Sequence, residues 1–64
     1  MSKLFTFLET FDIRNLIKIY DTEGNLIFEG EMGDVPQKVN NQMSVIRGTA
    51  IWKGNYLEVK VKRS

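Results

Sequence analysis

Cysteine and histidine are both absent from this 64-residue chain. Without cysteine no disulfide can brace the fold, and unbraced small domains belong to reducing compartments, so a cytoplasmic setting is expected. Without either residue a Cys/His zinc centre is excluded, and so are histidine acid–base chemistry and the usual nucleophilic triads. Long apolar runs are missing too. The N-terminal stretch Leu4-Phe5-Thr6-Phe7-Leu8 is soon interrupted by Glu9 and Asp12. A membrane span needs about 20 apolar residues, and a signal peptide needs a longer apolar region with a cleavage site. Neither is read here, and no membrane association is expected.

A chain this short allows one domain, residues 1–64. It buries only roughly 60% of the surface that it exposes when unfolded. Its expected stability is at most about 3–5 kcal/mol, and self-association is the one staple left open. Net charge is +1, but unevenly spread. Residues 1–34 hold three basic and seven acidic side chains, for −4; residues 35–64 hold six basic and one acidic, for +5. The two halves can neutralise each other within the fold or across a dimer, or one can face an acidic partner.

Leu4, Phe5, Leu8 and Phe11 recur at helical spacing, which predicts a helix over 3–11 with Ser2 as its N-cap. Leu16-Ile17-Lys18-Ile19-Tyr20 and Leu26-Ile27-Phe28-Glu29-Gly30-Glu31 read as strands joined by the turn Asp21-Thr22-Glu23-Gly24-Asn25. Pairing Asp21 with Leu26 sets Ile19 opposite Phe28 and Ile17 opposite Gly30. One face then carries Ile17, Ile19, Leu26 and Phe28, the other Leu16, Lys18, Tyr20, Ile27, Glu29 and Glu31. A bulge at Gly24 would scramble these faces, and the pattern favours the register without it. The only proline, Pro36, forces Val35 out of the helical region, so a short helix is expected over 36–41, ending at Asn40-Asn41.

A second hairpin turns at Gly54-Asn55, where Gly in first place suits a type II′ turn. That register pairs Trp52 with Leu57, Ala50 with Val59 and Gly48 with Val61 on the expected buried face. Ile51–Glu58, Thr49–Lys60 and Arg47–Lys62 fall on the other. The expected class is α+β: two antiparallel β-hairpins forming a small sheet, with an N-terminal helix, a short helix between the hairpins, and the helices covering one face.

No catalytic arrangement emerges, so the chain is not expected to be an enzyme, and no cofactor or metal is expected. Glu29 and Glu31 lie two apart on one strand face, as solvated carboxylates do. The segment 21–25 is far shorter than a 12-residue calcium loop. The five glycines match no phosphate-binding loop. The one constellation of interest is basic: Arg47, Lys60 and Lys62 on one face, Lys53 at the tip, Arg63 at the end, and Tyr20 as a nearby aromatic platform. Lysines alternating on a strand also protect a sheet edge from aggregation. Trp52 is expected in the core against Leu57, with a partner-facing anchor as the alternative. Leu16, Tyr20 and Ile27 are a candidate apolar patch for a partner or a second subunit.

The segments Ile17-Lys18-Ile19-Tyr20-Asp21, Gly24-Asn25-Leu26-Ile27-Phe28-Glu29-Gly30-Glu31, Val35-Pro36 and Asn55-Tyr56-Leu57-Glu58-Val59-Lys60-Val61 resemble small uncharacterised proteins encoded in phages and prophages of Gram-positive bacteria. The resemblance spans roughly residues 13–61. It implies a phage setting inside a bacterial host cell, where small accessory proteins bind host proteins or nucleic acid, and it assigns no residue a role. The function expected is therefore a non-catalytic protein-binding module, with a nucleic-acid-binding protein using the basic face, or a structural homo-oligomer, as alternatives. A protein partner is expected, a homodimer is open, and specific nucleic-acid binding is not expected.

Overall fold

The computed structural model describes residues 2–63. Its elements run β1 (Ser2–Lys3), α1 (Leu4–Leu8), β2 (Leu16–Tyr20), β3 (Leu26–Glu31), a 3-10 turn (Met32–Asp34), α2 (Gln37–Gln42), β4 (Met43–Val45), β5 (Ile51–Trp52) and β6 (Tyr56–Arg63). The α+β class holds. The sheet, however, is mixed, with strand order β1-β4-β6-β2-β3 and β5 pairing with β6. β2 and β6 run parallel, with Ile17 beside Leu57 and Ile19 beside Val59. That pairing corrects the expectation of a wholly antiparallel sheet. Its cause is burial: Ile17, Ile19, Leu57, Val59 and Val61 are all at most 2% exposed. Strands with fully buried inner faces belong at the centre of a sheet rather than at its edge.

The core lies between that face and the helices. Leu4 and Leu8 come from α1, Met32 and Val35 from the segment after β3, and Val45 from β4. Helix α1 is shorter than the 3–11 periodicity predicts, and Lys3, not Ser2, is its N-cap residue. After Leu8 the chain turns, with Thr10 Oγ1 donating to the Phe7 carbonyl at 2.8 Å. The turn redirects Phe11 onto Phe7, ring centroids 5.2 Å apart, and leaves Phe5 exposed. Helix α2 follows Pro36 as expected but runs to Gln42 and passes directly into β4. Asn40 and Asn41 adopt no left-handed conformation and do not terminate it.

In the first hairpin Ile17 faces Gly30 and Ile19 faces Phe28, as the pattern predicts. Nearer the turn the register shifts, so that Tyr20 rather than Asp21 faces Leu26. Asp21 is consumed by the turn. Its Oδ1 accepts from the backbone N–H groups of Glu23 at 2.9 Å and Asn25 at 2.8 Å. Gly24 supplies the positive φ of +87°. Ile27 becomes the extra residue of a bulge and packs on the core, while Leu26 is exposed. The unslipped register is thus corrected at this end.

The second hairpin keeps Trp52 opposite Leu57 and Ile51 opposite Glu58. Gly54 has a φ of +86°, and Asn55 does not have a positive φ, as a type II′ turn requires. Ala50–Val59, Gly48–Val61 and Arg47–Lys62 do not form. Val45 faces Val61 instead, and Ser44 faces Lys62. Six residue steps from Val45 to Ile51 thus oppose three from Val61 to Glu58. The surplus loops out through Gly48, whose φ is +81°. Thr49 repairs the ladder: its Oγ1 accepts from the Lys60 N–H at 3.1 Å and donates to the Ile46 carbonyl at 2.7 Å.

Trp52 is therefore not a core residue. It lies on the helix side of the sheet but at its rim, 51% exposed, its ring edge-on to Phe11 at 6.0 Å. Trp52→Ala is expected to cost about 1–2 kcal/mol from partial burial and one ring contact. Ile19→Ala is expected to cost about 2–5 kcal/mol, near the whole stability of such a chain. Urea titrations followed by circular dichroism check the ranking.

The Asp21 carboxyl is held below its ordinary pKa of 3.8, first by the Asn25 backbone hydrogen bond and then by that of Glu23. A depressed carboxyl stabilises the fold above its unfolded pKa and loses that contribution as pH falls through the folded value. Thermal melts of Asp21→Ala should show lower stability than wild type at neutral pH and a smaller further loss on acidification below 3.8.

Candidate binding face

The alternation that buries Ile17, Ile19, Leu57, Val59 and Val61 turns their neighbours to the other side of the sheet, which no helix covers. Strand pairing sets Leu16 beside Tyr56, Lys18 beside Glu58 and Tyr20 beside Lys60 across the parallel pair. β3 adds Glu31 opposite Leu16, Glu29 opposite Lys18 and Leu26 opposite Tyr20. On the far side of β6, Ile51 stands opposite Glu58, and Ser44 opposite Lys62. Lys3, on β1, lies beyond Ser44.

Lys18 organises the centre of this face. Its Nζ lies 3.3 Å from Glu29 Oε2 and 4.6 Å from the centroid of the Tyr56 ring. An ammonium over a ring face is attracted by the ring quadrupole, and the carboxylate holds it there. The hydrogen bond that the Lys18 ammonium donates to Glu29 is the main reason that its pKa is raised, followed by the electrostatic effect of Tyr56. Beside the pair is an open cleft of about 310 Å³, lined by Leu16, Lys18, Glu29, Gly30, Asn55 and Tyr56. Leu16, Leu26 and Ile51 are exposed on this side, with Tyr20 and Tyr56 half-buried. The face thus combines an apolar, aromatic middle with an acidic β3 edge and a basic end at Lys60, Lys62 and Lys3.

The basic constellation is only partly assembled. Lys60 and Lys62 share the uncovered face, and Tyr20 lies next to Lys60. Arg47 is carried off in the loop between β4 and β5, so the like-charged Arg47–Lys62 pair does not exist. Lys53 is exposed at the hairpin turn, outside the strand rows. Of the apolar patch, Leu16 and Tyr20 stay outside, and the β3 bulge takes Ile27 to the core. Sequence reasoning missed Tyr56, although it alternates with Glu58, Lys60 and Lys62. Only the parallel pairing sets it beside Leu16 and Lys18.

A second, smaller groove of about 220 Å³ lies on the helix side, lined by Phe5, Leu8, Glu9, Ile13, Met32, Gly33 and Asn40. The Asn40 Oδ1 is buried there without a hydrogen-bond partner. Among the described residues no group of three acidic, cysteine or histidine side chains could hold a metal ion. No helix among them is long and apolar enough to cross a membrane.

A raised lysine pKa means that the Lys18 contribution to stability is complete below the unfolded value of 10.5 and is lost as pH rises through the folded one. NMR titration of the Lys18 side chain should give a midpoint above 10.5. Glu29→Gln should bring it back toward 10.5, and Tyr56→Phe should lower it by less.

Compared with known protein families, curated proteins and solved structures, the chain matches none.

Proposed function

We propose that this chain is a non-catalytic protein-binding module that engages its partner through the uncovered sheet face. The observation that carries the reading is the juxtaposition of Leu16, Tyr20, Tyr56 and Ile51 around the Lys18–Glu29 pair. Tyrosines and aliphatic side chains ringed by charges have the make-up of a protein interface, with an apolar centre and a polar rim. A sheet face without helices gives them a rigid backing. The resemblance to phage proteins suggests the setting: an accessory protein in the cytoplasm of a bacterial host, acting on a host or defence protein.

A nucleic-acid reading draws on Lys60 beside Tyr20, with Lys62 and Lys3 beyond. It is the weaker one, because Glu29, Glu31 and Glu58 occupy the same face and repel a polyanion over a Debye length of about 8 Å. Fluorescence anisotropy with labelled DNA and RNA should show weak binding at low salt that vanishes near about 0.15 M.

Affinity capture from a Gram-positive lysate tests the main reading, with binding of the captured protein then measured directly. Tyr20→Ala/Tyr56→Ala should weaken binding at least tenfold, and Phe5→Ala, on the other side of the sheet, should leave it unchanged. Binding insensitive to the tyrosine pair, or no protein retained at micromolar bait, would overturn the proposal.

A further inference from the structure

We infer that the uncovered face closes on a second copy of itself, about a two-fold axis that lays Glu29 and Glu31 of one copy against Lys60 and Lys62 of the other. The inference rests on the reading of this face as a binding surface and names one partner for it.

A two-fold interface needs a patch that complements itself. Glu29 and Glu31 lie on β3, two strands away from Lys60 and Lys62 on β6 and displaced along the strand direction as well. With about 4.8 Å between strands and about 3.3 Å per residue, the two charge clusters are roughly 17 Å apart. That is about two Debye lengths at physiological salt, so they do little to neutralise each other within one copy. Glu29 is held by Lys18, the one ion pair among the described residues, while Glu31, Lys60 and Lys62 have no such partner. Lys18, Tyr20 and Glu58 occupy the space between the clusters, and Leu16 and Tyr56 lie level with Glu31 at the acidic end.

The charge layout selects the axis. A two-fold in the plane of the interface, perpendicular to the line joining the clusters, superposes acid on base twice. A two-fold along that line superposes like charges and is disfavoured. Because the line is oblique to the strands, the favoured axis makes the two sheets cross steeply, within the near-orthogonal class of sheet packing. Size sets the strength. The molecule measures 25 × 20 × 18 Å, so the face offers at most roughly 500 Å² per copy. A standard interface buries about 800 Å² per partner, so the dimer is weak, with a dissociation constant on the order of 100 µM, and sensitive to salt.

Sedimentation equilibrium from micromolar to millimolar protein tests this, on wild type and on two charge-reversed variants, E29K/E31K and K60E/K62E. Wild type should associate reversibly, and less so at about 0.5 M salt. Each variant alone should dimerise at least tenfold more weakly. Their equimolar mixture should regain wild-type association, since both contacts then pair opposite charges again. Recovery also shows that both variants are folded. Should E29K/E31K fail to fold, Glu31→Lys mixed with Lys62→Glu, the pair that this axis sets opposite each other, repeats the test without touching the Lys18 pair. A wild type that stays monomeric at millimolar concentration, variants that associate as wild type does, or a mixture no stronger than its components would each overturn the inference. The outcomes separate from those of the binding-module reading: monomeric wild type with tyrosine-dependent capture sinks the dimer alone.

Discussion

The parallel pairing of β2 with β6 is the constraint on which the rest of the structure depends. Each hairpin by itself would leave one apolar row on water, and two-stranded ribbons are marginal in isolation. Joined side by side, Ile17 meets Leu57 and Ile19 meets Val59 in one layer. That layer is what Leu4 and Leu8 of α1 cover, together with Met32 and Val35. The two short helices need no stability of their own. At five and six residues they are far below the length at which an isolated helix persists in water, and tertiary contact holds them.

The same pairing composes the opposite face. Tyr56 and Lys18 sit 38 positions apart in the chain, yet the lysine ammonium lies over the tyrosine ring because their strands adjoin in this register. Glu29 arrives from the other side of β2 through the hairpin. Three strands therefore contribute one side chain each to the cation at the centre. The charge imbalance between the chain's halves is converted into a spatial one, with acid at the β3 edge and base at the C-terminal end of β6.

Departures from regular pairing have local chemical causes. Asp21 forms more hydrogen bonds as the keystone of its turn than it could as a ladder residue, and the price is the bulge at Ile27. Thr49 has a hydroxyl that can act as donor and acceptor at once, so its side chain replaces part of the broken ladder with β6. The loop that it closes removes Arg47 from the basic face. Trp52 ends at the rim, where β5 spans only two residues and Phe11 meets its ring edge-on.

Period-two alternation in 16–20 and 57–61, the Gly54-Asn55 turn and the single proline were sufficient for the two hairpins, the buried row of 57–61 and the start of α2. They were not sufficient for the buried face of the first hairpin, where Leu16 and Ile27 are apolar on the expected outer side. Those features are local: side chains alternate along a strand whatever lies next to it, and φ at Gly or Pro is restricted within one residue. Lys60, Lys62, Tyr20 and Leu16 could be assigned to an outer face for the same reason. Neither the parallel join nor the two register shifts were legible, since each depends on which strand lies alongside and how hydrogen bonds close around Asp21 and Thr49. Local pattern thus determined which residues of a regular strand share a side. Only the tertiary structure decided which strands share that side, and hence that Lys18, Glu29 and Tyr56 meet, because strand adjacency is settled by burying the apolar rows together, a long-range competition in which the whole core takes part.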